Sequence, residues 1–221
     1  MKLKGFIVFV LLLTVTMLVG CSSQPKATGI AESSQMERTE WNPQVMVYKN
    51  PDVDFRSYKK VIIDPVQIYT GPDAKFNVSQ EQEQEMANYL YADITRVLQE
   101  KGLLTTQPGP GVARLKLVLA GLEKTRPVAS VVSHALPIGL ALNLGKGAMG
   151  KNGSFMGTAT VGGEFTDSTT GNLIASFLAK EAPNAMDVTV MVSEIDASKK
   201  AIDKVTQQIG DRLEEIQLGH H

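Results

Sequence analysis

The stretch from Phe155 to Ala182, FMGTATVGGEFTDSTTGNLIASFLAKEA, decides the fold. Phe155, Ala159, Val161 and Phe165 fall on one side of an alternation, with Thr158, Thr160, Glu164 and Thr166 on the other, the pattern of a half-buried strand. Asp167-Ser168-Thr169-Thr170-Gly171-Asn172 then supplies turn chemistry, so Leu173 to Ala182 is expected to return as the antiparallel partner. Gly162-Gly163 inside the first strand predicts a bulge or a close backbone approach.

Outward from this hairpin the same alternation recurs in Val112 to Leu119, where Leu115, Leu117 and Leu119 oppose Arg114 and Lys116. A break at Gln107-Pro108-Gly109-Pro110-Gly111 separates that strand from the clearest helix, Ser79 to Lys101. There Met86, Leu90, Ile94, Val97 and Leu98 share a face, Ser79 and Gln82 can form a capping box, and Gly102 stands at the C-terminal stop. A second helix over 196–217 carries Ile202, Val205, Ile209, Leu213 and Ile216 at helical spacing. Lys59 to Tyr69, KKVIIDPVQIY, is rich in β-branched residues on both faces and reads as a strand near the sheet centre, with Pro65 marking a bulge, an edge or a change of partner. The expected fold is therefore α+β, a mainly antiparallel sheet with two helices packed on one face in β-α-β-β-β-α order. Its other, threonine-bearing face is left open as a contact surface.

The amino terminus reads differently. Lys2 and Lys4 precede an apolar run from Phe6 to Val19, which is shorter than the roughly 20 residues that cross a bilayer. It ends at Leu18-Val19-Gly20-Cys21, which resembles the lipobox of a bacterial lipoprotein signal peptide. That resemblance implies cleavage before Cys21 and lipid on its sulfur and new amino terminus, hence a membrane partner through lipidated Cys21. Ser22, rather than aspartate, after the cysteine favours the outer membrane, with the body facing the periplasm. Several acyl chains anchor a protein far more firmly than one. The expected organisation is a signal peptide over 1–20, a lipidated cysteine and flexible tether over 21–40, and a single α+β domain over 41–221. The tether, SSQPKATGIAESSQMERTE after the cysteine, is polar and would hold the body on the order of 25 Å from the bilayer if it behaved as a coil. Trp41 ends it and is expected to begin the packing.

Composition narrows the function classes. Cys21 is the single cysteine, so a disulfide, a c-type haem or a thiolate zinc site within one chain is excluded. Cleavage would remove Lys2 and Lys4 from 22 basic residues, leaving 20 against 23 acidic ones and a formal charge of −3. The basic residues are scattered, so nucleic acid is not expected as a partner.

Val53-Asp54-Phe55-Arg56-Ser57-Tyr58-Lys59-Lys60-Val61, leading to Asp64-Pro65-Val66, resembles a family of uncharacterised bacterial lipoproteins carried as a domain of unknown function. So does Gly162-Gly163-Glu164-Phe165-Thr166-Asp167-Ser168-Thr169-Thr170-Gly171 running into Leu173-Ile174-Ala175. The resemblance spans most of the chain and brings no catalytic residues with it.

Few constellations could carry chemistry. Gly145 to Asn152 approaches a phosphate-binding loop, but Asn152 stands where Ser or Thr would hold magnesium, and a strand rather than a helix follows. His134, near Ser130 and Ser133, is the one histidine outside the terminal His220 and His221 and would have to serve any hydrolase mechanism. Glu164 with Asp167 offers a carboxylate pair, read as a strand end and turn. Neither cofactor nor metal site is expected. Val128 to Gly145, VASVVSHALPIGLALNLG, is uncharged, and Leu136, Ile138, Leu140, Leu142 and Leu144 alternate with smaller residues. It can pack within the domain, dock on a partner or membrane, or form a lipid-facing barrel hairpin. The sequence reading is a non-catalytic, membrane-anchored envelope binding or assembly factor whose partner is an envelope protein or a second copy of itself. The alternatives are an oligomeric pore or secretion component inserting residues 128–145, and an envelope hydrolase using His134.

Overall fold

The computed structural model describes residue 27 and residues 29–125, 156–183 and 194–218. Cys21 with Leu18, Val19 and Gly20, the whole of 128–145 with His134, the loop from Gly145 to Asn152, and His220 and His221 lie outside the described residues.

Strands β1 (Glu37–Arg38) and β2 (Val45–Lys49) are followed by three short strands, β3 (Lys60–Ile63), β4 (Gln67–Ile68) and β5 (Lys75–Phe76). Helix α1 (Gln80–Glu100), the long strands β6 (Val112–Thr125), β7 (Met156–Asp167) and β8 (Leu173–Glu181), and helix α2 (Glu194–Leu218) complete the order. The sheet runs β1-β2-β8-β7-β6-β3, and β4 and β5 continue alongside β6 after β3. All pairings from β1 to β6 across the sheet are antiparallel, whereas β3, β4 and β5 pair β6 in parallel. The α+β architecture and the hairpin of β7 with β8 are as the alternation predicts, Phe155 lying outside the described residues.

The segment 59–69 differs from its expected place. It lies at the sheet's edge, not near its centre, and breaks at Asp64 to Val66, where Pro65 cannot donate to the ladder. Its two-faced apolar character has another cause: the chain after α1 covers the outer edge. Val61 donates its N–H to Leu103 and accepts from Thr105, bridging Leu104 between them, so Val61 is buried without being central.

Helix α1 begins where the sequence says, with both hydrogen bonds of the Ser79–Gln82 box formed, and stops before Gly102 at φ +66°. β3, α1 and β6 thus form a parallel crossover, the connection that parallel neighbours require. The two helices are parallel to each other, as contacts that climb both together show. Lys199 meets Glu85 at 3.0 Å, Tyr89 donates to Asp203 at 2.6 Å, Thr206 donates to Asp93, and Lys101 reaches Glu214 at 2.6 Å. Under them lies the main core, with Leu115, Leu117, Leu119, Ala159, Val161 and Phe177 of the sheet against Met86, Leu90, Ile94, Ile202 and Val205 of the helices. Near Ala120 the β6–β7 register shifts, so that Leu122 rather than Gly121 returns to the helix side and Ala120 joins the opposite one.

That opposite side is not open. Ala27, Ile30 and Met36 are buried on it against Ala120 and Leu178, with Met46, Tyr48 and Tyr69 packed around them. The stretch expected to be a flexible tether over 21–40 therefore reaches the folded body well before Trp41. Trp41 itself is 43% exposed, with its ring beneath the Arg212 guanidinium at 4.2 Å.

Candidate functional site

The covered face is built as a receptor for the residues that cross it, a strap from Ala27 to Met36. Gly162 of β7 provides the notch: a Cβ there would come within 1.8 Å of Ile30 Cδ1. Its neighbour Gly163 serves the helix side in the same way, because a Cβ would lie 2.4 Å from the Phe177 ring. The Gly162-Gly163 pair therefore marks close approach on both faces, and the register irregularities fall elsewhere, at Leu119/Gly121 and Phe165/Thr166.

The strap's backbone is satisfied not by a ladder but by its own turns, in which Ile30 donates to Ala27 at 3.1 Å and Ser33 to Ile30 at 3.2 Å, and by side chains of the body. Ala31 donates its N–H to Glu164 Oε1 at 2.8 Å and accepts at its carbonyl from the Ser176 hydroxyl at 2.6 Å. Gly29 donates to the Tyr69 hydroxyl at 3.3 Å, and Tyr69 in turn donates to Asp73 at 2.5 Å. Lys116 Nζ stands 3.6 Å from Glu164 Oε2 and balances the charge of that carboxylate. The strap then turns at Glu32, whose φ of +55° is in the left-handed region, into a short 3-10 turn at Ser33–Gln35. From there it enters β1.

The carboxylate pair read from the sequence is thus divided between two structural tasks. Glu164 holds the strap, and Asp167 holds the hairpin turn, accepting from Thr169 and Thr170 N–H at 2.8 Å each and from the Thr169 hydroxyl. Those donors, the Thr169 hydroxyl foremost, keep the Asp167 carboxyl well below the usual carboxylate range. Tyr58 donates to the same carboxylate at 2.9 Å, and burial together with that bond raises the phenol. Ser168 N–H reaches the Val112 carbonyl at 3.0 Å, and its side chain meets Gly109. The two sequence stretches that carry the family resemblance therefore touch each other and fix the same end of the sheet.

At the opposite end lie the remaining charged groups of note. Glu181, only 2% exposed, receives Lys204 at 2.6 Å, Gln208 at 3.2 Å and the Asn42 amide. Its burial is offset by three donors, as a buried carboxylate requires. Lys180 pairs with Glu123 at 2.7 Å on the strap side. The Thr158 hydroxyl there is buried without a partner among the described residues. β6 and β7 remain paired up to Thr125 opposite Met156, so residues 126–155, which include Leu136, Ile138, Leu140, Leu142 and Leu144, join two adjacent strand ends at this end of the sheet.

Among the described residues no group of three or more His, Cys, Asp or Glu side chains could hold a metal ion, and no helix is long and apolar enough to cross a membrane. The strap escaped the sequence reading, although two signals for it exist. Ile30 and Met36 are the large apolar residues in an otherwise polar 22–40, and Gly162 leaves an unexplained gap in a strand.

Comparison with curated proteins finds no match. Among solved structures, the chain is similar to protein XCC0632 from Xanthomonas campestris, a DUF330 protein, at 10% identity and TM-score 0.40, covering 77% of this chain and 92% of that one. It is also similar to a PelC dodecamer subunit from Paraburkholderia phytofirmans at 14% identity and TM-score 0.32, covering 74% and 96%. A DUF4136 family protein from Bacteroides thetaiotaomicron, BT2437, matches at 9% identity and TM-score 0.34, covering 76% and 95%. A family match covers residues 26–209, from the strap to the second helix, and includes both motif stretches joined at Tyr58 and Asp167. The chain belongs to the family described as proteins of unknown function, DUF3313.

Proposed function

We propose that this chain is a lipoprotein of the cell envelope, anchored at the outer membrane through lipidated Cys21, that works as a non-catalytic binding or assembly factor. The observation that carries this reading is the use made of the candidate acid and base groups. Glu164 binds the strap, Asp167 binds its turn and Tyr58, and the buried Glu181 and Asp93 are consumed in pairs with Lys204 and Arg96. Groups held this way lack the free, convergent geometry that proton transfer needs. Leu18-Val19-Gly20-Cys21 supplies the anchor and Ser22 the membrane.

Membrane fractionation of the wild type and of Cys21→Ala, with the mass of the mature amino terminus, tests the anchor. Loss of residues 1–20 and addition of acyl mass at Cys21 support it; an unprocessed Met1 contradicts it. Complementation of a deletion strain by His134→Ala tests the absence of catalysis, since failure with a normally folded variant would favour the hydrolase reading.

A second reading, an oligomeric pore or secretion component, draws on one observation. Past its register shift near Ala120 the β6–β7 pair continues to Thr125 and Met156, and the uncharged segment 128–145 lies in the connection between them. Light scattering on protein purified from membranes and on a version lacking residues 1–21 separates the readings. A soluble monomer supports the binding module, and a soluble form that self-associates or still partitions into lipid supports the pore.

A further inference from the structure

We infer that the strap is an orienting clamp, which ties the lipid anchor short and turns the strap-covered face of the sheet toward the bilayer, with the helix layer pointing away. The inference rests on the anchor proposed above and adds to it a defined interaction surface and a lipid leaflet as its partner.

Chain length and placement carry it. Ala27 is 2% exposed, in the cluster with Ala120 and Leu178 on the sheet's outer face, and Ile30 fills the Gly162 notch. Only residues 22–26 separate Cys21 from that cluster, a reach of at most about 20 Å when fully extended. As a coil it would average about 13 Å. A body of this size has a radius of gyration of roughly 16 Å, so the leash is shorter than the body is wide. Rotation that carried the strap side away from the membrane would have to pull Ile30 out of its notch. The alternative, a tether free as far as Glu40, would allow a reach of about 65 Å and no preferred orientation.

Three polar side chains receive the strap through its backbone groups. Glu164 and Ser176 take both backbone groups of Ala31, and Tyr69 takes the N–H of Gly29. Two contacts are strongly shaped: Gly29, where a Cβ would lie 2.6 Å from the Tyr69 ring, and Ile30 against Gly162 and Leu178, the larger of the two. Ile30 is accordingly the residue whose replacement should undo the clamp without disturbing the helix-side core.

The test uses the full, lipidated chain in phosphatidylethanolamine–phosphatidylglycerol vesicles that carry an acceptor dye on a headgroup. A donor dye is placed either at Gln67→Cys, an exposed position on β4 paired with Val118 on the strap side, or at Ala92→Cys, an exposed position on α1. Energy transfer is expected to be higher from position 67 than from position 92, and the difference is expected to be lost in Ile30→Asp. In that variant exchange of the Ala31 amide should accelerate about tenfold or more while α1 amides are unchanged, which shows that the body remains folded. Gly162→Leu, which fills the notch from the sheet side, should act in the same direction. Equal transfer from the two positions in vesicle-bound wild type overturns the orientation while leaving the anchor intact. A difference that survives in Ile30→Asp, with Ala31 exchange accelerated, overturns the role of the strap. A chain that does not bind the vesicles through Cys21 overturns the anchor and the clamp together.

Discussion

The two faces of one sheet are covered in opposite ways. On the helix side, two long helices bury leucines, isoleucines and valines in a single core, and the fixing forces are apolar area and packing. On the strap side a short polar segment is held by Ile30 in a glycine notch and by side chains that take its backbone hydrogen bonds. The first cover is part of what makes the domain fold. The second is a small cluster that can open while the domain stays closed, because local opening costs only the contacts it breaks. Under the anchoring proposed at Cys21, this weaker layer would stand between the anchor and the core.

The contrast can be broken most severely on the helix side. Leu117→Ala removes a side chain that is fully buried beneath both helices and is expected to cost about 2 to 5 kcal/mol in urea unfolding of the whole domain. Ile30→Ala truncates a comparably buried side chain on the other side, whose full burial is worth about 1.5 to 3 kcal/mol. Its effect should appear as faster exchange and proteolysis within 27–36, with the unfolding midpoint of the body moving much less. A domain that unfolds as readily as Leu117→Ala would show that the strap is an integral part of the core. Thr206→Val takes away the hydroxyl that donates to buried Asp93 between the helices and should cost about 1 to 3 kcal/mol, again across the whole domain.

Two smaller effects sharpen the picture at the periphery. The Asp167 carboxylate is held below its unfolded value, so its contribution is present at neutral pH and is lost as pH falls below about 4 toward the folded value. The stability gap between wild type and Asp167→Asn should therefore be open at pH 7 and narrow in acid, in urea titrations at each pH. Arg212→Gln removes the guanidinium from the exposed Trp41 ring and should cost no more than about 1 kcal/mol, with a shift in tryptophan emission as the clearer signal.

The same contrast explains what was legible in the sequence. Helix-side elements announce themselves because one face of each is apolar: Leu115, Leu117 and Leu119 alternate, and Met86, Leu90 and Ile94 recur at helical spacing. Caps and turns were equally readable, since Ser79 with Gln82 and Asp167 with Thr169 act within a few residues of each other. The strap has no period and little apolar area, and its partners Glu164 and Ser176 are more than a hundred residues away. Its composition is that of a disordered segment, and its few local turns are held in place by tertiary contacts. The edge placement of β3 was hidden for a related reason. Burial by the passing chain at Leu103 to Thr105 gives an edge strand the two-sided apolar pattern of a central one.

The most direct test of the two-cover arrangement is residue-resolved hydrogen exchange on the full chain, comparing the Ala31 amide with that of Leu117. With the strap docked, Ala31 is protected by its bond to Glu164, exchanges faster than Leu117, and is accelerated by Ile30→Ala while Leu117 is not. Exchange of Ala31 at the rate of a free chain in the wild type would contradict the strap, and with it the short leash to the membrane.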